Sequence, residues 1–136
     1  MQVQGVLETS LYVDDLEAAE EFYTRVLCLR LHSVQENRHV FFHCGSSMLL
    51  LFNPLESALS ESAEESLPTH GSDGPGHVAL AVAPEELSAW RGHLATCGVP
   101  IEREITWPGG HISLYFRDPA GNSLELAAPQ MWQDPA

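Results

Sequence analysis

One order of hydrophobic periods occurs twice along the chain. That repeat narrows the possible folds more than any other feature. From Val6 to Val13 the side chains alternate as in a strand, with Leu7, Thr9, Leu11 and Val13 on one face. Val6, Glu8, Ser10 and Tyr12 take the other face. The period then changes in "DDLEAAEEFYTRVLCL", where Leu16, Ala19, Phe22 or Tyr23, Val26 and Leu27 recur at helical spacing. Asp14 is the expected N-cap, with Glu17 three residues on, as in a capping box. Three short strands are expected next: Arg30 to Val34, His39 to Cys44 and Met48 to Phe52.

The pattern starts again at "GHVALAVA", a strand. Pro84 suits a first helical turn, Leu87, Trp90, Arg91 and Leu94 continue the helix, and Gly98 ends it. Strands follow at Ile101 to Thr106, Ile112 to Arg117 and Asn122 to Ala127, the last two joined by the turn signature "DPAG". The expected class is α+β: two βαβββ modules forming a curved, partly closed mixed sheet with helices outside. The first module spans residues 1–53 and the second 77–136. Residues 54–76 form a connector rich in Ser, Glu, Gly and Pro, with a short helix expected from Glu56 to Ser66.

Composition limits the partners. Six basic residues against 19 acidic ones give a net charge of -13, which opposes nucleic acid and anionic membrane surfaces. The longest apolar run, Met48 to Phe52, is too short to cross a bilayer. Three cysteines without Cys-x-x-Cys spacing fit a reducing compartment. The opening "MQVQGVLETS" lacks the basic and apolar regions of a secretory signal, so a cytoplasmic location is expected.

The repeat aligns Glu8 with His77, polar residues on the first strand of each module. Glu125 interrupts the closing strand "NSLELA", sharing a face with Ser123 and Ala127 while Leu124 and Leu126 share the other. A carboxylate is costly to bury without a partner. A lone strand Glu or His is usually solvated or hydrogen-bonded. Three at equivalent positions, Glu8, His77 and Glu125, converge if the sheets curl with that face inward. Glu125 then meets a cation. Two carboxylates and one imidazole suit a divalent ion: Mn²⁺, Mg²⁺, Zn²⁺, Ni²⁺ or Fe²⁺.

The stretches "VLETSLYVDDLEAAEEFYTRVLCLRL", "GPGHVALAV" and "GGHISLYFRDPAGNSLELA" resemble the vicinal oxygen chelate superfamily. That superfamily includes glyoxalase I, bleomycin-resistance proteins, fosfomycin-resistance enzymes and extradiol dioxygenases. The resemblance covers nearly all the chain outside the connector. It implies paired βαβββ modules and metal ligands at Glu8, His77 and Glu125. It also implies a small oxygen-chelating substrate and a divalent metal acting as Lewis acid in a lyase, isomerase, transferase or oxygenase reaction. The alternative within the family is a metal-free protein that sequesters a ligand, as bleomycin-resistance proteins do. In relatives of this length two chains often pair, which implies a homodimer in which Glu8 of one chain joins His77 and Glu125 of the other. Two departures stand out. Many members carry His where this chain has Glu8. Glyoxalase I draws a fourth carboxylate from the first module's last strand, where this chain has Leu49 and Leu50. The chain is therefore not expected to be a typical glyoxalase I.

Glu8 or Glu125 is the candidate base, leaving the metal to serve as one. Tyr115, on one face with His111 and Ser113, is the candidate substrate-contacting hydroxyl, with core packing as its other role. His70 either closes over the site or stays solvated in the connector, and His39 and His43 have no evident partner. Trp107 forms a rim or packs a turn. Arg38, Arg103 and Arg117 are the main cations available to an anionic substrate.

Overall fold

The computed structural model describes residues 1–59 and 67–133. It divides into two compact units, Met1–Gly76 and His77–Ala136. The first unit contains β1 (Glu8–Tyr12), α1 (Leu16–Arg25), β2 (Arg30–Gln35), β3 (His39–Cys44), β4 (Ser47–Phe52) and a single helical turn, α2 (Pro54–Ser57). The second contains β5 (His77–Ala81), α3 (Leu87–Thr96), β6 (Arg103–Thr106), β7 (Ile112–Arg117) and β8 (Ser123–Ala127). Each unit is thus βαβββ, and each has its own mixed four-stranded sheet, not closed into a barrel. The strand orders, β1-β4-β3-β2 and β5-β8-β7-β6, are the same topology twice. The first and last strands of each unit pair in parallel, and the remaining neighbours are antiparallel.

The first unit buries one face of its sheet under α1. Ala19, Phe22 and Tyr23 lie on the inner side of that helix. Tyr23 is fully buried, with its ring 5.9 Å from that of Phe42. Leu49 and Leu51 of β4 complete this layer. The helix begins one residue later than expected. Asp15, not Asp14, has the extended backbone of an N-cap, and its carboxylate accepts a hydrogen bond from the Ala18 amide. Asp15→Ala should therefore cost about 1 kcal/mol in urea unfolding, while Asp14→Ala should stay within about 0.5 kcal/mol. A larger loss from Asp14→Ala than from Asp15→Ala would return the cap to Asp14. Of the helix expected from Glu56 to Ser66, the described residues show the turn α2, Pro54–Ser57; residues 60–66 lie outside the described residues.

In the second unit Leu114, Phe116, Leu124 and Leu126 are buried, with Leu87 and Leu94 of α3. Pro84 opens a 3-10 turn, Pro84–Glu86, that leads into α3. The helix ends through Gly98, whose φ of +73° suits a residue without Cβ, and the Val99 amide bonds back to the Leu94 carbonyl. The β7–β8 turn is closed by Asp118. One of its carboxylate oxygens accepts from the Ala120 and Asn122 amides, and the other accepts from the Asn122 side chain. Asp118 and Asn122 are both buried. This turn sets the register in which Tyr115 faces Glu125 and Leu114 faces Leu126.

Candidate functional site

Directly paired residues of neighbouring strands share a face of the sheet. Arg103, Tyr115, Glu125 and Ala79 form one row across β6, β7, β8 and β5. Ser113 and Ala127 are paired in the next row, and Ser123 is paired with His77 beyond Glu125 on the other side. The face opposite the core therefore carries His77, Glu125, Tyr115, Ser113 and Arg103.

Glu125 is only 5 % exposed, so its charge needs partners. Ser113, itself fully buried, donates its hydroxyl to Glu125 Oε2 at 2.5 Å. The indole N–H of Trp107 donates to Ser113 Oγ at 2.9 Å. The second carboxylate oxygen, Oε1, lies 3.3 Å from His77 Nε2. The other ring nitrogen of His77, Nδ1, is 3.0 Å from the Ser123 carbonyl oxygen. A carbonyl only accepts, so Nδ1 carries the proton and leaves the Nε2 lone pair facing Glu125. A lone pair against a carboxylate oxygen calls for positive charge between them, either a proton or a metal ion. Two donors bound to one ion at about 2.0–2.2 Å and near right angles stand about 3 Å apart. The observed pair fits that requirement. Its carboxylate is fixed by Ser113 and its imidazole by Ser123, as metal ligands are usually held by their own hydrogen-bond partners.

The Tyr115 ring lies 6.2 Å from the His77 ring and nearly parallel to it. Burial first, and then the charge of Glu125, push the Tyr115 hydroxyl above the usual phenol range, which keeps it a proton donor. His111 lies just before β7, and its carbonyl accepts from the Trp107 amide to close a turn.

His77, Glu125 and Tyr115 come together in the second unit. Glu8 belongs to the first unit, at the start of β1 and opposite Met48. Among the described residues no three His, Cys, Asp or Glu side chains form a ready metal cluster. The face of β1 with Glu8 also carries Ser10 and Tyr12, paired with Leu50 and Phe52. Leu50, rather than Leu49, is thus the β4 residue beside the Glu8 row.

The spare histidines have partners. His70 is held rather than solvated. The Tyr12 hydroxyl is 2.7 Å from its Nδ1, its ring packs against Phe52, and its main chain exchanges hydrogen bonds with Ser57. His39 stacks on Phe41 with centroids 3.8 Å apart. Burial first, and then Arg38, hold its pKa below the usual imidazole value. His43 meets His32 at 3.0 Å. His32 is the extra residue of a β-bulge, between the Leu31 and Ser33 pairings of β2 with β3. Trp107 and Ser113 are the residues that sequence reasoning missed as supports of Glu125. The available signal was the Ser113 position, on the Tyr115 face of the strand preceding Glu125.

Two βαβββ units of identical strand order, one with an imidazole–carboxylate pair on its open face, define a protein of the paired-module glyoxalase-like class. A family model, the Glyoxalase/Bleomycin resistance protein/Dioxygenase superfamily, matches residues 5–126, and the chain belongs to that superfamily. It is similar to a solved lactoylglutathione lyase from Agrobacterium tumefaciens. The two are 38% identical over 98% of this chain and 100% of the other, with a TM-score of 0.94. A glyoxalase/bleomycin resistance protein/dioxygenase from Nocardioides is 23% identical, covering 100% of this chain and 90% of its own, with a TM-score of 0.71. A fosfomycin resistance protein from Listeria monocytogenes is 18% identical, covering 93% and 92%, with a TM-score of 0.70. The last two show a shared fold. No helix among the described residues is long and apolar enough to cross a membrane.

Proposed function

We propose that the chain is a metal-dependent enzyme acting on a small substrate that chelates through two neighbouring oxygens. The observation that carries this reading is the His77–Glu125 pair, at 3.3 Å with the imidazole lone pair directed at the carboxylate. His77 and Glu125 are two ligands of a divalent ion, Mn²⁺, Fe²⁺, Zn²⁺, Ni²⁺ or Mg²⁺, and Glu8 is the third. When bound, the ion supplies Lewis-acid stabilisation of charge developing on a substrate oxygen. The chain's own residues do the rest. Ser113 and Trp107 hold Glu125 in place, Tyr115 offers a protonated hydroxyl to the substrate, and Glu8 is the candidate base. The protein is a cytoplasmic homodimer in this reading, with Glu8 of one chain completing the site of its partner.

Protein purified without chelator should carry about one divalent ion per chain. Chains bearing Glu8→Ala and chains bearing His77→Ala, mixed into heterodimers, should regain metal at one of two sites. Mixed dimers that bind none would place each site within a single chain. Absence of stoichiometric metal in the wild type would favour the ligand-sequestering alternative.

A second reading has one specific observation behind it. The 38% identical Agrobacterium tumefaciens relative is a lactoylglutathione lyase, so the substrate here would be a glutathione hemithioacetal. The missing carboxylate on β4 weighs against it.

A further inference from the structure

We propose that Arg103 recognises an anionic group at the far end of the substrate, so that the preferred substrate is a small carboxylate with vicinal oxygens at its other end. This rests on the chelating-enzyme reading above and names its substrate class.

The first ground is the disposition of positive charge. The chain has six basic residues, all arginine. Arg25, Arg91 and Arg117 are paired with Glu21, Glu104 and Glu102. Arg38 lies over the Phe52 ring and against His39. Arg30, Arg38 and Arg103 have no carboxylate partner among the described residues, and Arg38 is already engaged by Phe52 and His39. In a chain of net charge -13, an arginine left without an acidic partner is a cation open to some other anion.

The second ground is its position. Arg103 shares a row with Tyr115 and Glu125, on the face that carries the His77–Glu125 pair. Two inter-strand spacings put its backbone about 10 Å from that of Glu125, with Tyr115 between them. Arg103 is exposed, so it remains solvated until a ligand arrives. A substrate chelating at His77 and Glu125 would pass over Tyr115 and present its other end to the guanidinium. In the reading above, carboxylate ligands offset the charge of the divalent ion. An anionic substrate therefore needs a further cation, and Arg103 supplies it through a two-pronged hydrogen-bonding fork.

The test compares two probes of equal chain length on Mn²⁺-loaded protein by calorimetric titration. The first, 2-oxoglutarate, has a 2-oxo acid head and a distal carboxylate. The second, 2-oxopentanoate, has the same head and a methyl end. Wild type should bind 2-oxoglutarate roughly tenfold or more tightly than 2-oxopentanoate. Arg103→Gln should abolish that preference, leaving 2-oxopentanoate affinity and Mn²⁺ content unchanged. Equal binding of both probes by wild type, or an undiminished preference in the variant, overturns the role of Arg103 and leaves the chelation reading standing. If neither probe binds protein that has taken up Mn²⁺, the chelation reading fails and this proposal fails with it.

Discussion

Replacing His77 with alanine is expected to abolish stoichiometric metal binding while leaving the fold in place. The side chain is 49% exposed, and it stands on β5, an edge strand of its sheet. Its truncation therefore opens no cavity in the core formed by Leu114, Phe116, Leu124 and Leu126. Glu125 keeps its bond from Ser113, so the buried carboxylate is not stranded. The imidazole, however, is the single nitrogen donor of the proposed set. Loss of residues that merely orient a ligand costs 10–100-fold in metal affinity, so loss of the ligand itself should cost at least about a hundredfold. Elemental analysis after dialysis reads the metal, and the far-ultraviolet spectrum and melting temperature read the fold. Metal content unchanged from wild type would remove His77 from the site.

Turnover of the methylglyoxal–glutathione hemithioacetal is expected to be weak. On β4 the residue beside the Glu8 row is Leu50, opposite Ser10, while Leu49 lies opposite Thr9 on the core side. Both are buried hydrocarbons, and neither can donate an oxygen to a cation. A site lacking one group aimed at developing charge commonly loses about 10²–10³ in rate. Turnover should fall below that of a four-ligand lyase by about this factor. The Agrobacterium tumefaciens relative gives the comparison its force, because it is a lactoylglutathione lyase only 38% identical to this chain. Turnover equal to that relative's, followed as formation of the thioester, would overturn the expectation and require a fourth donor from elsewhere.

Period carried most of the fold. Alternation passing into a helical spacing, twice over, was sufficient for two βαβββ units, because a buried face must repeat with the geometry of its element. Boundaries were less legible. Val6 and Leu7 alternate with the strand, yet they lie before Glu8 and are largely exposed. Alternation records a preference for one face and does not require a hydrogen-bonded neighbour. Val78 and Leu80 alternate with His77 and Ala79 as core residues do, yet they are only partly buried, since β5 lies at the sheet edge. At the site, the oddity of Glu125 could be seen in its own hexapeptide. Its support could not, because the bond from Ser113 spans 12 residues and depends on the strand register. The binding of His70 to Tyr12 reaches across 58 residues, beyond any local pattern.

The turn closed by Asp118 imposes a parity on the protein. Side chains on β8 change faces at every step, so one residue added between Asp118 and Asn122 would send Leu124 and Leu126 to the open face and Glu125 into the core. Two added residues would restore the original faces. The length of this loop can therefore vary only in even steps without exchanging hydrocarbon for charge. The buried hydrogen bonds of Asp118 to the amides of Ala120 and Asn122 hold the count at its present value.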